Sequence, residues 1–113
     1  MQEQTEGTAF VQATLKVLGG KWKLLILWHL KDYTRRYSEL KRLIPEISEK
    51  MLIQQLRELE NDEIVHRTVL SEVPPKVEYS FTEYGRSLEP VLQKLCNWGE
   101  QHLRRLESDK AST

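Results

Sequence analysis

The chain has little of what most catalytic or anchored proteins need. It carries one cysteine, Cys96, in 113 residues. A lone thiol excludes an intramolecular disulfide framework and fits a reducing compartment, the cytoplasm. No apolar run approaches the roughly 18 residues of a membrane helix. The longest, residues 24–28, reads as core. The first eight residues are polar and acidic, without the basic-then-apolar start of a secretory signal. A glycine-rich phosphate loop is missing, since Gly19-Gly20 alone is a helix terminator. His29, His66 and His102 fall on different elements, without metal-ligand spacing. No serine or cysteine has a partnered base nearby in sequence. No catalytic residue, metal or cofactor is therefore expected, and the chain does not read as an enzyme. An excess of one charge is absent as well, with 17 basic and 17 acidic residues. That counts against a uniformly basic nucleic-acid binder. The charges are unevenly placed, however. Residues 1–42 hold eight Lys/Arg against four Asp/Glu, and Lys31, Arg35, Arg36, Lys41 and Arg42 cluster near position 38. A local basic patch can grip phosphates on a neutral chain.

What is present is an ordered series of helix signals. Thr8 can cap a first helix with Phe10, Ala13, Thr14, Val17 and Leu18 on one face. Lys21–Leu30 reads as a second helix, apolar on nearly every side and so central. Residues 31–37 form a polar connection. Ser38 caps a third helix, Glu39–Ile44, which Pro45 stops. Ser48 caps a fourth, from Glu49 to about Asp62, with Leu52, Leu56 and Leu59 toward the core. Residues 64–70 and 77–81 read as two strands. The proline-bearing loop 71–76 between them projects as a wing. Thr82 caps a long last helix to about Leu106, which Pro90 should kink or break near Arg86.

Helix, tight turn, helix and hairpin in that order are the plan of a winged helix-turn-helix, which lays one helix in the DNA major groove. Lys50, Gln54 and Arg57 lie about 140–200° around the fourth helix from Leu52, away from the core. Gln matches adenine, and Arg and Lys donate to guanine. Met51 and Gln55 flank them. Arg35, Arg36, Ser38, Lys41, Ser48 and the wing's Lys76 are candidates for holding the DNA backbone. Glu49, Glu58, Glu60 and Asp62 on the same helix oppose binding, so an interaction module without DNA binding is the alternative.

The segments VLGGKWK (17–23), LILWHL (25–30), YSELKRLIPEIS (37–48), KMLIQQLRELE (50–60), EVPPKVEYSFTEYG (72–85) and LCNWG (95–99) resemble the HxlR-type winged-helix regulators, relatives of the MarR group. The resemblance covers about residues 9–103. It implies a mainly α fold with a small β-hairpin and extra terminal helices for dimerisation. It also implies a homodimeric transcription factor whose partners are double-stranded DNA and itself. Such a dimer in the cytoplasm is expected to act on a pseudo-palindromic operator, and a repressor role is the expectation, although the sequence does not decide between repression and activation. The dimer interface of such proteins lies on the first and last helices, here Phe10, Leu15, Leu88, Leu92, Leu95, Trp98 and His102. Many members carry a sensing cysteine-proline where this chain has Ala9 and Phe10, which puts redox control by that route in doubt. Cys96, among Leu92, Leu95 and Trp98, is expected to be a buried, inert thiol. Trp22, Trp28, Trp98, Tyr84 and Phe10 supply aromatic surface for a small-molecule effector, although core or interface packing explains each of them better. The expected organisation is a disordered stretch at 1–7, one winged-helix domain at 8–107 and a polar tail at 108–113.

Overall fold

The computed structural model describes residues 6–111. α1 (Glu6–Leu18) starts two residues before Thr8, which therefore lies inside the helix rather than capping it. Residues 6 and 7 of the stretch expected to be disordered are thus helical, and 1–5 lie outside the described residues. The helix ends where the Gly19 amide donates to the Leu15 carbonyl (2.8 Å). Gly20 follows at φ +93°, a left-handed conformation that favours glycine.

α2 (Lys23–Leu30) buries Ile26, Leu27 and Leu30. It starts two residues later than expected, and Leu25 remains partly exposed. Within the expected polar connection lies a two-residue strand, β1 (Arg35–Arg36). α3 (Tyr37–Leu43) begins directly after it, so Arg36, not Ser38, is its N-cap residue. Strand pairing already holds Arg36 extended (φ −78°, ψ 156°), the backbone geometry an N-cap needs. The Glu39 carboxylate then accepts from the Arg36 amide (2.9 Å). Pro45 falls just past the helix end, as expected.

α4 (Glu49–Asn61) is capped by Ser48, whose hydroxyl accepts from the Met51 amide (3.1 Å). Leu52, Leu56 and Leu59 are at most 1% exposed and form the centre of the core with Ile26, Leu27, Leu40, Ile47 and Val65. The helix closes with two reverse bonds, Ile64 N–H to Leu59 O (2.9 Å) and Glu63 N–H to Glu60 O (3.0 Å). This is the Schellman arrangement, with Glu63 at φ +60° where glycine is usual.

β2 (Val65–Glu72) and β3 (Pro75–Phe81) pair antiparallel from Val65↔Phe81 to Glu72↔Pro75. β1 pairs with the other edge of β3, giving the order β1-β3-β2. The wing turn is tighter than expected, because only Val73 and Pro74 lie between the strands. Pro75 is the first residue of β3, a position where a missing amide costs the ladder little. A register shift at Leu70 adds a bulge.

Thr82 does not open a continuous helix. Its hydroxyl donates to the Glu63 and Ile64 carbonyls and accepts from the Gly85 amide (2.8 Å). A single 3-10 turn, Gly85–Leu88, follows, and only then α5 (Glu89–Ala111). Pro90 sits in the first turn of α5, where its missing N–H leaves no bond unmade. Gly85 packs so closely that a Cβ there would overlap the Ile64 carbonyl oxygen. α5 runs five residues past Leu106, through most of the expected tail; 112 and 113 lie outside the described residues. Leu92 is its last buried side chain. Among the described residues no helix is long and apolar enough to cross a membrane.

Candidate DNA-reading face

α4 has two sharply different sides. Its leucines anchor it in the core, which fixes its rotation about its own axis. Lys50, Gln54 and Arg57 are consequently all exposed on the other side. With Ile53 and Glu58 they line a hollow of about 660 Å³ along the helix. Arg57 also borders a groove of about 590 Å³ between α4 and the wing, together with Tyr37, Ile53, Glu60, Arg67, Val77 and Tyr79. Met51 and Gln55 stand apart from this strip. Met51 packs against the core, and the Gln55 amide donates to its sulfur (3.6 Å). Both are half-buried.

The acidic residues of α4 are partly neutralised within the fold. Glu58 accepts from Lys23 Nζ at 2.6 Å and from Gln54 Nε2 at 3.2 Å. Lys23 is the only buried charged side chain among the described residues, at 6% exposure. Its hydrogen bond, then that of Gln54, holds the Glu58 carboxyl below the usual range, so it is a carboxylate at neutral pH. Glu60 shares the wing groove with Arg57 and Arg67. Burial, followed by the charge of Glu49, raises the Tyr37 phenol, which therefore stays neutral and able to donate.

The residues expected to hold the DNA backbone divide into two sets. Arg36, Ser38, Ser48 and Lys76 are exposed, at the starts of α3 and α4 and beside the wing turn. Arg35 and Lys41 are engaged internally. The Arg35 Nε donates to the His29 carbonyl (2.9 Å), and its guanidinium lies over the Tyr33 ring. Burial, and then this nearby guanidinium, keep His29 below the usual histidine range. Lys41 Nζ donates to the Pro45 carbonyl (3.3 Å), bracing the turn before α4. Sequence reasoning missed Arg67, Ile53 and Tyr37 as neighbours of the strip. Arg67 lies on the same face of β2 as Val65 and Val69, opposite Tyr79, and no local pattern in the sequence brings it beside Arg57.

The terminal helices carry the apolar set. Phe10 and Leu15 on α1 and Leu95 and Trp98 on α5 are exposed, Phe10 and Trp98 by 65% and 66%. Val11, Val91, Leu103 and Leu106 extend the same two surfaces. Trp98 stacks on His102 with ring centroids 5.0 Å apart. Leu92 belongs to the core instead, and Leu88 packs against it. Cys96 is exposed, not buried as expected, because α5 has left the core by that point. No group of three or more His, Cys, Asp or Glu suited to a metal ion occurs among the described residues.

Comparison with known proteins agrees with this geometry. The HxlR-like helix-turn-helix family matches residues 17–107. The HTH-type transcriptional regulator YtcD of Bacillus subtilis (strain 168) is 58% identical over 102 residues, 90% of this chain and 81% of its own. The structure of the redox regulator HypR in its oxidized form has a TM-score of 0.77 at 53% identity, covering 80% of this chain and 94% of that one. Quinone-bound YodB from B. subtilis gives 0.69 at 36% identity, covering 82% and 98%. The anchored α4, the three-stranded wing sheet and these likenesses together place the chain in the HxlR-like helix-turn-helix family of transcriptional regulators.

Proposed function

We propose that this regulator acts in the cytoplasm as a homodimer that reads a pseudo-palindromic operator in double-stranded DNA and represses the neighbouring gene. The observation that carries the reading is the exposed strip Lys50–Gln54–Arg57 on a helix whose opposite side is locked into the core. Those three side chains read base edges in the major groove, with Met51 and Gln55 at the margin. Arg36, Ser38, Ser48 and Lys76 hold the flanking phosphates, and Arg35 and Lys41 shape the elements that present them. Pairing through α1 and α5 is supported by the extended form of the single chain. Its radius of gyration is 17.1 Å, whereas a compact domain of this length has about 13 Å. Exposed Phe10, Leu15, Leu95 and Trp98, with His102 stacked beside the last, need a covering surface, and a second copy supplies the matching one. Two bound copies exclude other proteins from that DNA, hence repression. A small-molecule effector fits the groove of about 290 Å³ where α1 meets the 3-10 turn before α5, walled by Val17, Leu18, Tyr84 and Leu88.

The test is selection of bound duplexes from a randomised pool, followed by titration at about 50 and 200 mM salt, between which a dimer with several phosphate contacts loses orders of magnitude in affinity. Half-sites should lie about 34–36 Å apart. An absence of binding even at low salt would favour the interaction-module reading instead.

A further inference from the structure

Gln54 is not a free amide on the reading face. Its Nε2 donates to Glu58 Oε2 (3.2 Å), one turn along the same helix. The other oxygen of that carboxylate, Oε1, accepts from Lys23 Nζ (2.6 Å). Lys23 is 35 residues away in sequence, at the first position of α2, with a side chain only 7% exposed. A carboxylate can only accept, so the Gln54 amide must turn its nitrogen, not its oxygen, toward Glu58. The orientation is therefore imposed by chemistry. One amide hydrogen is used, which leaves Oε1 and the second N–H for a base.

We infer that Lys23, which is buried beneath the reading face, is a positioning residue for base specificity: through Glu58 it sets the Gln54 amide to read adenine and to reject guanine. This rests on the DNA-reading proposal above. Adenine offers an N6 donor and an N7 acceptor in the major groove, matching the free oxygen and remaining hydrogen of the held amide. Guanine offers two acceptors, O6 and N7. To bond O6 the amide would have to flip, breaking the bond to Glu58 and setting its oxygen against the carboxylate. Lys23 keeps that carboxylate charged and in place. It also offsets a negative charge that would otherwise stand near the phosphates.

The experiment uses the full chain and the duplex sequence enriched from a randomised pool. Gln54→Ala first identifies the base pair that Gln54 reads. Lys23→Met and Glu58→Ala are then compared on duplexes with A·T or G·C at that position. Each should lose about ten-fold of the preference for adenine there, the scale of one bidentate contact, while preferences elsewhere and the salt slope stay as they were. Lys23→Met leaves Glu58 without its cation and Glu58→Ala leaves a buried lysine unpaired, so either could fail to fold. The double variant Lys23→Met with Glu58→Ala leaves no buried charge and serves as the second test. If affinity falls equally for every duplex, or the adenine preference survives in the folded variants, Lys23 is merely structural and the inference is overturned. Failure of the unaltered chain to enrich any sequence would overturn the DNA reading itself, a distinguishable result.

Discussion

The body of the molecule and its two arms follow opposite rules. In the body, α2, α3, α4 and the sheet build one closed core, with Ile26, Leu27, Leu40, Leu52 and Leu59 at 0% exposure, and leave only scattered apolar side chains such as Leu25, Leu43, Ile53, Val69 and Leu70 outside it. On α1 before Val17 and on the outer part of α5 the large apolar residues stand open. The same residue types are used, but in the body the chain covers itself. A single copy cannot cover α5 beyond Leu92, because no element of its own lies over it. The difference teaches that apolar periodicity reports that a face is to be covered, not what covers it.

That contrast can be broken from either side. The largest expected effect is in the body. Leu56→Ala leaves a cavity at the centre of the core and should cost about 2–5 kcal/mol, read as a lower midpoint in urea. In the arm, Trp98→Glu should leave the folded body intact but halve the mass seen by sedimentation. Losing the linked second site should then weaken operator binding about 100-fold. An unfolded Trp98→Glu chain would show that arm and body are not separable. On the reading face, Gln54→Ala should cost about 1–3 kcal/mol of operator binding and relax one base pair, with thermal stability unchanged. The smallest effect sharpens the body alone. Glu63→Gly at the left-handed end of α4 should raise stability by about 1 kcal/mol, measured by thermal melting.

Much of the body was legible in the sequence because its signals are local. Ser48 is a true cap, Pro45 a true stop, and Leu52, Leu56 and Leu59 face inward as their spacing requires. Ser38 misled, since Arg36, two residues before it, was already held extended by a strand of two residues, too short to carry any period. Thr8 misled in the same way, because α1 begins upstream of a plausible cap. Pro75 was read as loop, although it can open a strand whose first amide is not needed. Cys96 was read as buried from its apolar neighbours on α5, yet burial there depends on another surface. The Lys23–Glu58 pair and the place of Arg67 beside Arg57 join distant parts of the chain, and neither leaves a local trace.

The knot at Thr82 has a mechanical consequence. One hydroxyl ties the residues just after α4 to the 3-10 turn that leads into α5, and Gly85 presses on the Ile64 carbonyl with no room to slide. The joint transmits rotation instead of absorbing it. α5 is 23 residues long, about 35 Å, so a tilt of about 5° at the joint sweeps its far end through about 3 Å. That is close to the rise of one base pair, about 3.4 Å. In the proposed dimer the pair of arms would work as a caliper, and a small change in how they cross would reset the span it measures along the double helix.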